Sequence, residues 1–413
     1  MPVAVTFPRP TERSRLEEAV SRVGDRAAEW ARLPLRDKIA LARSVQAGVS
    51  RLAGRSVAAA CAAKGIPEGS PLEGEEWLAG PYVALRLLAQ LVRSMESLER
   101  SGTTPIPRPG RTAGGRLSLR VFPGDRLDSM LFMGASGEVV MEEGVDQAEL
   151  EATRARFYRR PGHQGRLCLV LGAGNVNSIP AADVLTKMFN EGKVCVLKLS
   201  PVNAYLGPFL EEAFGAAVAR GFLAVVHGGA EEGAFLVGHP AVEEVHVTGS
   251  DRTHDRLVWG PPGPERAERM ARDTPLLSKE VTSELGNVTP VILVPGPYTE
   301  RQLAWQAENV AGMVTNNASF NCIAGKMLVT PRGWPARDRL LEQVMRGMAR
   351  VPARKAWYPG ASDRWRSLTA GRERIRTEGG GEGALPWTLL PGLDAADPAE
   401  KAFRTEPFCS ILS

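Results

Sequence analysis

Residues 167–199 read LCLVLGAGNVNSIPAADVLTKMFNEGKVCVLKL. An apolar run at 167–171 ends in a glycine-rich turn. A stretch suited to a helix begins near Ala181, and a second apolar run follows at 194–199. Strands covered on both faces read as continuous apolar runs rather than alternating ones. Two such runs joined through a helix by short links form a parallel strand–helix–strand unit. The rhythm continues through a helix around 204–220, a strand at 223–226, a glycine turn and a short helix near 230–238. EEVHVTGS at 243–250 then leads into another helix. Ligands of such sheets sit beyond the carboxyl ends of the strands. The turns at 172–178, 198–203, 228–229 and 248–251 are therefore expected to gather on one edge.

On the N-terminal side, residues 14–64 carry apolar positions near helical spacing, among them Ile39, Leu41, Val45 and Val49. Residues 76–99 read as another helix. Residues 101–115, SGTTPIPRPGRTAGG, read as a connecting loop, and 116–141 as short strands. After 275 the pattern restarts with a strand at 288–294 and a helix around 300–314. A polar turn from Thr315 to Asn321 leads to Cys322 and the strand KMLVT. GGGEG at 379–383 reads as a flexible loop. EPFCSILS ends the chain in strand-like sequence, so a fragment of a longer protein is expected.

The 413 residues are 43% hydrophobic and 24% charged, which excludes global disorder. Lys and Arg total 51 against 47 Asp and Glu, a net charge of +4. That balance argues against a dedicated nucleic-acid binder. The segment 350–376 interleaves Arg350, Arg354, Lys355, Arg364 and Arg366 with Trp357, Tyr358 and Trp365. Such a mixture suits either single-stranded nucleic acid or a solvated surface with packing aromatics, and the small net charge favours the surface. No apolar run approaches the roughly 18 residues of a membrane helix, and the N-terminus lacks a secretory core. Cys61, Cys168, Cys195, Cys322 and Cys409 are scattered and form no CxxC pair. No disulfide framework or metal site is expected, and a reducing cytoplasm fits best.

Several residues carry candidate chemistry. Cys322 lies in TNNASFNCIAGK, either as a partly exposed nucleophile or as a small buried hydrophobe. Glu284, in SELGNVTP, is placed at a tight turn, either as a general base or as a solvated carboxylate. Lys198 ends an apolar strand, where it meets a nucleotide or simply closes the edge. Asn175 follows Gly172 and Gly174, as an oxyanion donor or a turn residue. Gly249 and Ser250 open a helix, with Ser250 as its N-cap or beside a phosphate. Glu406 has no signal of its own.

Taken in order, Asn175, Lys198, Thr248-Gly249-Ser250, Glu284-Leu285-Gly286, Cys322 and Glu406-Pro407-Phe408 resemble the landmarks of the aldehyde dehydrogenase superfamily. Lys198 follows Asn175 by 23 residues, the spacing that family shows. AAEWARLPLRDKIALARSV is similar to its first helices. The resemblance implies an α/β fold: a Rossmann-type parallel-sheet cofactor domain (1–148 and 167–275), a second α/β catalytic domain (276–413) and an extended oligomerisation arm (149–166). It implies an NAD(P)-dependent aldehyde dehydrogenase in which Cys322 attacks the aldehyde. Asn175 and the Cys322 amide would hold the oxyanion, and Glu284 would activate water. Lys198 and Glu406 would hold ribose hydroxyls, with Gly249, Ser250 and Phe408 also beside the cofactor. A small aldehyde substrate, no nucleic acid, no membrane and a homo-oligomer are implied as well.

This sequence departs from the family pattern at several positions. Glu-Leu-Gly-Gly ends here in Asn287. Phe320-Asn321 replaces Gly-Gln before the cysteine, and Ala173-Gly174 replaces Pro-Trp before the asparagine. His254 stands where glycine is usual, and a short insertion is expected around 295–301. Pro201 occupies the place where NAD-preferring members often carry a Glu, so either NAD or NADP is expected. The competing readings are a CoA-acylating reductase, against which Glu284 argues, and a non-catalytic relative.

Overall fold

The computed structural model describes residues 5–159, 162–373 and 375–413. The chain enters through helices Arg13–Gly24, Ala27–Arg32 and Leu35–Lys64, the last stopped by Gly65 at φ 67°. Helix Val83–Ser101 stops at Gly102, also left-handed. Both stops suit glycine, which has no Cβ to clash there. An antiparallel sheet follows: β1 (Arg108–Arg111), β2 (Leu117–Phe122) and β3 (Gly137–Val140). β1 lies inside the stretch expected to be loop. Its RPGR sequence is exposed throughout and offers no apolar signal.

The central sheet contains β4 (Leu167–Leu171), β5 (Val194–Lys198), β6 (Leu223–Val226), β7 (Glu244–Gly249) and β8 (Glu280–Leu285). Its order is β6-β5-β4-β7-β8, and every pair is parallel. The chain leaves β4 toward one edge and returns to its other side, which creates a crevice at the carboxyl ends. The expected turns therefore share one edge. The helix expected over 204–220 is divided at Pro201–Leu206, Gly207–Ala213 and Gly215–Ala219.

β8 pairs with β7 although a domain boundary was expected at 276. Its EVTSEL sequence is half-exposed, so it lacks the apolar run that marks β4 and β5. One buried cluster joins the N-terminal helices to the sheet through Leu16, Trp30, Val45, Leu88, Val170, Val196 and Val245. The remaining strands are β9 (Pro290–Ile292), β10 (Met327–Val329), β11 (Arg376–Glu378), β12 (Trp387–Leu389) and β13 (Ile411–Leu412). All but the exposed β11 pack with helices Glu300–Thr315 and Arg337–Ala349 around Leu303, Val310, Leu340, Val344 and Trp387.

The segment 149–166 was expected to be an extended arm, but its described residues carry most of helix Gln147–Thr153, which starts two residues before it, and all of helix Arg156–Arg159. Asp146 caps the first of these by accepting from the Glu149 amide at 2.9 Å. Lys38 lies 4.9 Å from the ring centre of Phe157 and 5.7 Å from that of Tyr158. Capping and aromatic packing thus favour helix over an extended run. Positions 160 and 161 lie outside the described residues.

Candidate active site

Asn175 leaves the tip of β4. Gly174 before it is required by close approach: a Cβ there would lie 2.6 Å from Ser200 Oγ and 3.0 Å from Val202 Cβ. The Trp usual in the family could not fit. Asn203 Nδ2 pins this turn by donating to the Ala173 carbonyl at 2.7 Å. The Asn175 side chain is buried, and its Nδ2 donates to the Phe320 carbonyl at 2.9 Å. An amide nitrogen carries two hydrogens, and one partner is present among the described residues. The Asn175 carbonyl accepts from Asn317 Nδ2 at 3.0 Å and Lys64 Nζ at 3.3 Å.

Cys322 stands half-buried on the turn after helix Glu300–Thr315. Asn317, Ala318 and Ser319 before it have φ of 51°, 53° and 68°. Non-glycine residues in this region cost about 1–3 kcal/mol each and persist where surroundings over-determine them. The restraint here is Lys326, fully buried, whose Nζ donates to Ser319 O and Oγ at 2.6 Å each. The Cys322 carbonyl accepts from Asn287 Nδ2 and Thr289 Oγ1, each at 3.2 Å. Asn287, the departure from glycine, therefore ties the turn after β8 to the cysteine.

Glu284 does not sit in a turn. It is exposed near the end of β8, opposite Thr248. Pairing of Glu284 with Thr248 and of Leu285 with Gly249 on β7 keeps the chain in a strand up to Gly286. Glu406 lies closer in. A Cβ on Gly286 would fall 1.8 Å from its Oε2, so the carboxylate rests on the glycine backbone. Burial pushes the Cys322 thiol up; Glu406 and then Glu284 add to this, while the amides of Cys322 and Ile323 oppose it. Burial raises the Glu406 carboxyl to about 7, with Lys326 and Arg364 opposing and Asp251 adding.

Lys198 has a buried stem, and its amine has no hydrogen-bond partner among the described residues. Burial lowers its pKa, partly offset by Glu232. Gly249 and Ser250 lie exposed at the end of β7, and Ser250 Oγ accepts from the Thr253 amide at 3.2 Å as an N-cap. An amine with no described hydrogen-bond partner, together with the exposed Gly249 and Ser250, is a set of groups that could hold a nucleotide at this edge. Phe408, at φ 40°, packs 4.8 Å from Tyr358. Arg364 holds it by donating to the Pro407 and Phe408 carbonyls at 3.0 and 3.1 Å.

Sequence reasoning missed Lys64, Glu76, Asn317, Lys326 and the anchoring role of Arg364. Their only local signal was unusual: Lys64 and Lys326 are lysines set among apolar or small residues. The aromatics of 350–376 pack inward, with Trp357 and Tyr358 5.0 and 5.7 Å from Phe320. Among the described residues no group of three or more His, Cys, Asp or Glu side chains could hold a metal. No described helix is long and apolar enough to cross a membrane.

The aldehyde dehydrogenase family pattern matches residues 168–360. The aldehyde dehydrogenase KauB from Pseudomonas aeruginosa superposes with a TM-score of 0.65 at 17% identity, over 97% of this chain and 71% of that one. The pattern takes in 193 of the 413 residues, so the likeness to that family rests on just under half of the chain. The chain also superposes on an indole-3-acetaldehyde dehydrogenase complexed with NAD+, with a TM-score of 0.64 at 17% identity, over 97% and 71% of the two chains. An NADP-dependent glyceraldehyde-3-phosphate dehydrogenase from Bacillus halodurans C-125, complexed with NADP, gives 0.61 at 16% identity over 97% and 73%. These structural likenesses concern the fold. The 4-trimethylaminobutyraldehyde dehydrogenase of Oryzias latipes is 34% identical over 128 residues, 31% of this chain. The match spans only 23% of that relative's length.

Proposed function

We propose that this chain oxidises an aldehyde to a carboxylic acid with NAD(P)+ through a thioester on Cys322. The observation that carries the reading is the hydrogen bond from Asn175 Nδ2 to the Phe320 carbonyl, which ties the tip of β4 to the Cys322 turn. When bound, NAD(P)+ supplies the hydride acceptor, and Lys198, Gly249 and Ser250 would hold it. Cys322 forms the bond to the aldehyde carbon. The second Asn175 amide hydrogen and the Cys322 N–H stabilise the oxyanion. Glu284, at the exposed end of β8, takes a proton from the water that releases the acid. A thiolate serves as both nucleophile and leaving group.

All five cysteines are free, which supports a reducing compartment such as the cytoplasm. Exposed Leu127, Met130, Met133, Val139 and Val140 support self-association. Replacing Cys322→Ser tests the core of the proposal. Aldehyde-dependent NAD(P)H formation should vanish while cofactor binding persists, and substantial residual turnover would refute it. Acid rather than acyl-CoA is the expected product.

A further inference from the structure

We propose that Asn317 is a positioning residue for the oxyanion step: it fixes the Asn175 amide against the Cys322 turn. The inference rests on the thioester reading above. Asn317 is buried and has φ 51°. Asparagine enters this left-handed region more readily than most side chains. Its amide nitrogen lies 3.0 Å from the Asn175 carbonyl oxygen and 3.2 Å from that of Phe320. The Phe320 carbonyl also accepts from Asn175 Nδ2 at 2.9 Å. Asn175 and Phe320 are therefore joined twice, once directly and once through Asn317. The backbone and the side chain of Asn175 belong to one closed ring of hydrogen bonds. That ring gives the Asn175 amide a single orientation, and its second hydrogen a single direction.

Lys64 decides which way the Asn317 amide faces. An ammonium is a donor only, with three hydrogens. Here it has three acceptors: Glu76 Oε1 at 2.7 Å, Asn317 Oδ1 at 3.2 Å and the Asn175 carbonyl at 3.3 Å. The Asn317 oxygen must face Lys64, which turns its NH2 toward the two carbonyls and toward Asn321 Oδ1 at 3.0 Å. The main chain is held from behind. The Asn317 N–H donates to Glu75 Oε2 at 3.1 Å, and Arg354 pairs with that carboxylate. Asn317 thus acts through the placement of Asn175. Oyxanion donors help because they are already in place when charge develops. A misplacement of about 1 Å can cost roughly 10²-fold in rate.

The test compares two reactions of Cys322 in wild type and Asn317→Asp. This substitution keeps the side-chain shape and the contact with Lys64, but sets an oxygen against the two carbonyls. In acylation by p-nitrophenyl acetate the sulfur bonds to the ester carbon and the π pair moves to oxygen. The pair returns as the C–O bond to p-nitrophenolate breaks, and the thiol proton passes to water. In alkylation by iodoacetamide the sulfur displaces iodide from a saturated carbon, and no oxyanion forms. Cys61, Cys168, Cys195 and Cys409 are buried, and peptide mass assigns both products to Cys322.

We expect acylation to slow by about 10²-fold while alkylation is unchanged. The kcat for aldehyde should fall with it, at an unchanged KM for NAD(P)+. Acylation at the wild-type rate, or equal slowing of both reactions, overturns the proposal, since a purely structural role would not separate them. Should the Asp variant fail to fold, Asn317→Gly decides, because glycine takes left-handed backbone without strain. The same split supports the assignment, and its absence overturns it. A wild-type protein that is alkylated but never acylated would refute the thioester reading and this proposal together, an outcome distinct from a split missing in the variant alone.

Discussion

Lys64 Nζ lies 3.3 Å from the carbonyl oxygen of Asn175, 111 residues further along the chain. The same ammonium is 2.7 Å from the Glu76 carboxylate, with the two side chains 2% and 1% exposed. An N-terminal helix thereby carries one wall of the site. Glu76 accepts in turn from Asn177 at 2.8 Å. Replacing Lys64→Met leaves the Glu76 charge buried and unpaired, which should cost about 3–5 kcal/mol. Urea unfolding checks this, and Lys64→Met with Glu76→Gln should recover much of the loss. A single-variant cost below about 1 kcal/mol would contradict the burial argument.

Gly286→Ala should destabilise the fold by about 1–3 kcal/mol, since a methyl group there overlaps the Glu406 carboxylate. Combined with Glu406→Ala, the substitution should cost far less than the sum of the two. Strict additivity in a double-mutant cycle would mean that the two residues do not touch.

Lys326 gives a pH signature. Burial lowers its pKa to about 8 from an ordinary value of 10.5. Between those values the unfolded chain binds the proton and the folded chain releases it. Stability should therefore rise with pH across that window, by roughly 3 kcal/mol for this one group. Lys38, also lowered to about 8, contributes in the same direction. The difference in unfolding free energy between wild type and Lys326→Met isolates the Lys326 share. The variant should show a flatter slope from pH 8 to 10.5, and identical slopes would argue against a buried ammonium.

Lys198→Ala should weaken NAD(P)+ binding about tenfold, equivalent to ~1.4 kcal/mol. Its amine has no hydrogen bond among the described residues to lose, so thermal stability should hold. Fluorescence titration measures the first effect and calorimetry the second. Unchanged cofactor affinity would remove Lys198 from the site.

Strands β4 to β6 were legible as apolar runs and β7 by its alternating valines, whereas β8 was not because EVTSEL is half-exposed and polar. The same limit applied to the site. Asn175, Lys198 and Cys322 stood out by order and spacing. Glu284 was assigned to a turn, whereas pairing with Thr248 keeps it in a strand. Glu406 carried no local signal because its environment comes from Gly286, Asp251, Lys326 and Arg364, which are scattered along the chain.

Read alone, the amino-acid order determined four strands of the parallel sheet, the edge where their turns gather and the landmarks along that edge. These depend on short-range rules: side-chain periodicity, glycine's backbone freedom and the burial of continuous apolar runs. Tertiary structure alone decided that Asn175 is bonded to the Phe320 carbonyl, that Asn317 to Ser319 run left-handed, and that Glu406 rests on Gly286. Those relations require distant segments to meet at hydrogen-bond range. Closing such long loops is governed by the packing of the whole chain rather than by any local pattern.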